Sequence, residues 1–217
     1  MTTHTAPLHA NQPILAAGTP LAQAEFAMIL IHGRGAGARD ILMLAKEFDR
    51  PDLAYLAPQA ANSAWYPQRF IAPLAANEPW LTSALDRVGA VLAQVEQAGI
   101  PAERTFLLGF SQGACLALEY AARNPKRYAG VIGLSGGLIG PPGIEWGYTG
   151  SLAGTPVLLG CSDVDFHIPE VRVHESAVAL TALGAVVDTR IYPGMDHTVN
   201  QDEVDAVTAM LAAAVQR

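Results

Sequence analysis

The chain has 217 residues, 51% of them apolar and 15% charged, with 20 acidic against 13 basic side chains and a formal charge of −7. The charged share is low against a usual ~25%, which argues against disorder and coiled coil. The acidic balance offers no basic footprint for nucleic acid, and no apolar run approaches the ~18 residues of a membrane span.

Residues 1–20 read as a loose lead-in, because Gly18 and Pro20 interrupt any apolar core there. The first basic residue is Arg34, so the N-terminus lacks the charged start of a signal peptide, and the expected location is cytoplasmic. "FAMILI" (26–31) is a buried strand, "DILMLAKEF" (40–48) a short helix and "LAYLAP" (53–58) a second strand. An irregular stretch follows over 59–79. Residues 79–99 read as a helix, with Leu81, Leu85, Val88, Leu92 and Val95 at three- and four-residue steps and Gly99 as its stop. Next come a strand at 104–109, a helix at 112–123, a strand at 128–135 and a Gly/Pro-rich loop over 136–154. A strand at 156–161, a helix at 170–184 and a strand from 186 complete the alternation. The last helix starts near Asn200, where Asn200 and Glu203 have the spacing of a capping box. Strand and helix alternate about five times, which predicts a single α/β domain over 21–217, a mostly parallel, doubly wound sheet with helices on both faces. Reacting groups in such sheets gather at the carboxyl ends of the strands.

Two segments fit G-x-S-x-G, Gly109–Gly113 around Ser111 and Gly133–Gly137 around Ser135. The motif works as a tight strand-to-helix turn. A strong helix follows Ser111, whereas glycines and two prolines follow Ser135. Only Ser111 therefore gains the free N–H groups of a helix N-terminus, and it is the expected nucleophile. A serine needs a base, and in hydrolases built on this turn the acid and then the histidine follow it along the chain. Of the six histidines, His4 and His9 lie in the lead-in, His32 precedes the serine and His174 lies inside a helix. His197, just past a strand, is the expected base, with His167 as the alternative. The acid lies in "GCSDVDFHIP" (160–169), where composition does not choose between Asp163 and Asp165. The group Asp163, Asp165 and His167 also resembles a metal half-site but has no second half, so no metal is expected. "HGRGAG" (32–37) follows the first strong strand, where half of an oxyanion hole belongs. The main-chain N–H groups of Arg34 and Gln112 are its candidates. As a phosphate loop the segment fails for want of a lysine and a following Ser/Thr, and no cofactor is expected. Cys115 and Cys161 read as buried thiols, consistent with a reducing compartment.

"ILIHGRGAGARD", "LGFSQGACLALEYAARNP", "GVIGLSGGL", "DVDFHIP" and "IYPGMDH" together resemble the carboxylesterase/phospholipase family of small α/β-hydrolases, which includes the acyl-protein thioesterases. The resemblance runs from about residue 26 to the C-terminus. It implies an α/β-hydrolase fold without a large lid, and it decides the acid. The family's aspartate opens a D-P-x-V-P stretch, which Asp165–Pro169 matches with Phe166 in place of proline. A second departure is Asp196, where the family has glycine before its histidine.

The expected function is a serine esterase acting through an acyl-enzyme on small or short-chain esters, with Trp65, Tyr66 and Phe70 walling an acyl pocket. Thioester or lysophospholipid hydrolysis is the alternative that the resemblance implies. A non-catalytic ligand-binding protein of the same fold is the rival from another class. The partner is a small-molecule ester, and the resemblance leaves a homodimer open.

Overall fold

The computed structural model describes residues 8–48 and 50–215. Residues 1–7 of the expected lead-in, with His4, lie outside the described residues. The strands are β1 (Ile14–Gly18), β2 (Phe26–Ile31), β3 (Leu53–Pro58), β4 (Thr105–Phe110), β5 (Gly130–Leu134), β6 (Pro156–Ser162) and β7 (Val186–Tyr192). The helices are α1 (Ala38–Ile41), α2 (Trp80–Gln97), α3 (Gln112–Arg123), α4 (Glu170–Ala182) and α5 (Gln201–Ala214). The strands form one sheet in the order β1-β3-β2-β4-β5-β6-β7, parallel throughout except for the antiparallel pair β1–β3.

The apolar strand runs are explained by burial on both sheet faces. In β2, Ala27, Ile29 and Ile31 pack on one face while Phe26, Met28 and Leu30 pack on the other. That is the two-residue period of a pleated strand, with both sides covered. α2, α3 and α4 cover the first face, and α1 and α5 the second. α3 is the central helix and is buried over almost its whole length. α5 opens as expected: the Asn200 side chain accepts from the Glu203 N–H and the Glu203 carboxylate accepts from the Asn200 N–H, both at 2.9 Å.

Two local readings differ from the structure. The lead-in is not loose over 14–18, because that segment adds β1 to the sheet edge by pairing with β3 from Ile14 opposite Pro58 to Gly18 opposite Ala54. The segment reads Ile-Leu-Ala-Ala-Gly, and alanine and glycine favour strands weakly, so its composition did not mark a strand. The helix expected at 40–48 is one α-helical turn, α1, followed by 3₁₀ turns over 42–47.

Candidate active site

β4 hands the chain to α3 through Ser111, whose φ of 55° and ψ of −119° are rare for a residue with a side chain. Two neighbours have to be glycine for this turn to close. A Cβ on Gly109 would lie 2.2 Å from the Gly113 carbonyl, and one on Gly113 would lie 2.0 Å from the Ile31 carbonyl oxygen. The G-x-S-x-G pattern thus records how closely α3 is pressed onto β2 and β4. Ser135 also has a positive φ of 52°, but it is fully buried and no helix follows it.

Ser111 and His197 meet across the sheet end. His197 Nε2 lies 2.9 Å from Ser111 Oγ, and His197 Nδ1 lies 2.6 Å from Asp165 Oδ2. With Nδ1–H donating to the carboxylate, Nε2 is free to accept the serine proton. Asp165 leaves the end of β6, and its other oxygen accepts the N–H groups of His167 and Ile168 at 2.8 and 3.1 Å. Burial pushes this carboxyl's pKa up, but the bonds from His197 and the two amides outweigh it and hold the group below its ordinary value. The Cys161 thiol stands 3.8 Å from Asp165 Oδ2. Burial first, and then the aspartate, raise the pKa of that thiol to about 12, so it remains a neutral donor.

The other candidates fall elsewhere. Asp163 is exposed and accepts the Gly194 N–H at 2.8 Å, which ties the β6 loop to the one carrying His197. Asp196 is exposed and is not a partner of His197. It is His197 rather than His167 that stands at hydrogen-bond distance from Ser111 Oγ; the His167 ring packs edge-on against His197 at 4.8 Å between centroids. Among the described residues no cluster of three or more His, Cys, Asp or Glu is placed to hold a metal ion.

The Gly33 backbone passes against Ser111, since a Cβ on Gly33 would sit 3.3 Å from that of Ser111. Arg34 follows it, and Gln112 begins α3, where the leading N–H groups have no acceptor within the helix. The side chains of these two residues have a role that motif reading missed. Gln112 Oε1 accepts the Trp65 N–H and Nε2 donates to the Tyr66 carbonyl, both at 2.8 Å. The Arg34 guanidinium donates to the carbonyls of Tyr66, Pro67 and Gln68 at 2.7–2.8 Å. Both side chains therefore pin one wall of the site. His32 and His9 pin its approach by accepting the consecutive N–H groups of Ala60 and Ala61 at 3.1 and 3.0 Å. Each histidine donates through its other ring nitrogen, to the carbonyls of Gly33 and Trp65 respectively. Only residue spacing was visible in the sequence, and spacing carries no signal for such contacts.

A cleft of about 570 Å³ opens over Ser111. Tyr66 and Phe70 line it, together with Phe110, Cys115 and Ile168. Trp65 does not. It is completely buried behind the wall, donating its indole N–H to the His32 carbonyl at 2.8 Å and packing between the rings of His9 and His32. A buried indole needs an acceptor, and the His32 carbonyl that serves here belongs to a buried residue that does not line the cleft.

The family profile for phospholipase/carboxylesterase matches residues 17–215. A crystal structure of a phospholipase/carboxylesterase from Dyadobacter fermentans superposes with a TM-score of 0.89 at 43% identity, covering 93% of this chain and 96% of that one. An acyl-protein thioesterase 1 from Eremothecium gossypii is 27% identical over 211 residues, 88% of each chain. One from Gibberella zeae is 32% identical over 123 residues, a match that spans 56% of this chain and about half, 52%, of that protein. A profile match over nearly the whole length, on a mostly parallel seven-stranded sheet flanked by helices, makes this chain a member of the phospholipase/carboxylesterase family of α/β-hydrolases, and an ester hydrolase.

Proposed function

We propose that the protein is a serine carboxylesterase acting on small or short-chain esters, with Ser111 as nucleophile, His197 as base and Asp165 as the acid that orients it. The observation that carries this reading is the continuous chain from Asp165 Oδ2 through the His197 ring to Ser111 Oγ, at 2.6 and 2.9 Å. His197 Nε2 takes the serine proton as Oγ attacks the ester carbonyl. Asp165 keeps Nδ1 protonated and stabilises the imidazolium that forms. The developing oxyanion is met by the main-chain N–H groups of Arg34 and Gln112, the latter at the positive end of α3. His197 then protonates the departing alcohol. Water, activated by the same ring, cleaves the acyl-enzyme. Phe70, Cys115 and Ile168 are buried and give the cleft an apolar lining suited to an acyl group.

The relatives named acyl-protein thioesterase support a second reading, in which the same residues cleave a thioester. Rates on matched oxygen and sulfur esters from two to sixteen acyl carbons separate the two. A maximum at long-chain thioesters would replace the first reading with the second. For the residue roles, Ser111→Ala is expected to lower kcat on 4-nitrophenyl acetate by about 10⁴-fold or more, and Asp165→Asn by about 10²–10⁴-fold. Asp163→Asn should stay within about fivefold of wild type, because its contact is to a loop amide. A folded Ser111→Ala protein with near-normal turnover would end the assignment.

A further inference from the structure

The rim of the cleft has one sign of charge in a protein of net charge −7. Among the described residues its charged lining side chains are Arg34 and Arg69, the imidazoles of His167 and His197 stand beside them, and no carboxylate lines it. Asp165 stands behind His197, with its oxygens engaged by that ring and by two backbone amides. Among the described residues neither arginine pairs with an acid. Arg34 is held by three carbonyls, and Arg69 Nη2 reaches the His167 carbonyl at 3.2 Å. Arg34 and Arg69 are solvent-exposed, so their charge faces whatever enters, while burial and then His197 lower the pKa of the exposed His167 ring and leave it a neutral hydrogen-bonding group. The His167 ring is braced between Phe166, at 4.1 Å between centroids, and His197, at 4.8 Å. Arg69 and His167 thus sit on the His197 side of Ser111. That is the side of the leaving group, because His197 must hand its proton to the departing alcohol oxygen.

We propose that the preferred substrates are esters whose alcohol portion carries a negative charge, a carboxylate or a phosphate, received at the cleft mouth by Arg69 with His167 beside it. This rests on the reading of Ser111 and His197 as nucleophile and base, and it names a substrate class for that site. The apolar lining takes the acyl group, and the arginines of the rim take the charged alcohol. A guanidinium suits both anions, since its planar fork matches carboxylate and phosphate oxygens alike. An unpaired cation at the mouth also attracts such substrates before contact.

The test is a ratio of kcat/KM values on acetyl esters that differ only in the alcohol: 4-acetoxybenzoate, its neutral partner 4-acetoxybenzamide, and 4-acetoxyphenyl phosphate. The wild-type enzyme is expected to favour at least one anionic ester over the amide by about tenfold, the scale of one charge-assisted contact. The preferred anion identifies the source. The preference should shrink as salt rises from 0.05 to 0.5 M. Arg69→Gln should bring the anionic-to-neutral ratio close to one, and Arg69→Lys should restore part of it. A wild-type ratio at or below one for both anions overturns the proposal, as does a ratio that Arg69→Gln leaves unchanged. Loss of the underlying esterase reading looks different: the neutral amide ester would then be inert, or would be cleaved equally by Ser111→Ala.

Discussion

Gln112 is expected to hold the wall of the cleft with its side chain while offering its main-chain N–H to the reaction, and Gln112→Ala separates the two. The substitution keeps the N–H and removes both side-chain bonds. The Tyr66 carbonyl retains the Arg34 guanidinium at 2.8 Å, so it stays satisfied. The Trp65 N–H has no such reserve, and it belongs to a completely buried residue. Stranding one buried amide costs about 1–3 kcal/mol. For a domain of this size ~2 kcal/mol corresponds to a fall in Tm of about 4–8 °C. The loosened wall should raise KM for a short ester several-fold and change kcat less. Gln112→Glu keeps an acceptor for Trp65 but sets oxygen against oxygen at Tyr66, so it is expected to do no better than alanine. Thermal unfolding and steady-state kinetics on 4-nitrophenyl acetate measure both effects. A Tm within about 1 °C of wild type with an unchanged KM would refute the reasoning. So would a collapse of kcat at constant KM, which would mean that the side chain acts on the transition state.

Two further expectations follow from groups away from the reacting atoms. Burial, ahead of every other influence, lowers the pKa values of His9 and His32, so folding favours their neutral forms. Their contribution to stability is complete above pH 6.5 and is lost as the pH falls below it, by at most ~1.4 kcal/mol per histidine per pH unit. Tm at pH 5.5 should therefore lie below that at pH 7.5, with a smaller gap in His32→Gln; an equal gap would contradict this. Gly113→Ala forces a Cβ to within 2.0 Å of the Ile31 carbonyl oxygen, a main-chain atom that cannot swing aside. It should lower stability by about 3 kcal/mol or more, and a stable, active variant would show that the turn is looser than described.

The sheet and its helices were legible because a doubly covered parallel strand reads as an unbroken apolar run, as in "FAMILI" and "LAYLAP". β1 was not, because Ala16, Ala17 and Gly18 are weak strand formers and the segment is set in place by its pairing with β3. The turn at Ser111 was legible for a steric reason, since the two glycines that allow α3 to touch β4 and β2 are written in the motif. The choice of Asp165 over Asp163 was not legible from composition. Two residues apart in the same loop, one faces His197 and the other the Gly194 amide, and only the fold sets that direction. Trp65 was misread for a similar reason. An aromatic in an irregular stretch looks like a pocket wall, and its indole partner, the His32 carbonyl, is 33 residues away in the chain.

In the proposed chemistry one hydroxyl, Ser111 Oγ, is made reactive by His197 and Asp165. Incubation with a fluorophosphonate followed by peptide mass spectrometry tests it most directly. One label per chain is expected on the peptide containing Ser111, absent in Ser111→Ala and slowed by at least about 100-fold in His197→Ala. Labelling at Ser135 instead, or an unlabelled protein that still hydrolyses esters, would contradict it.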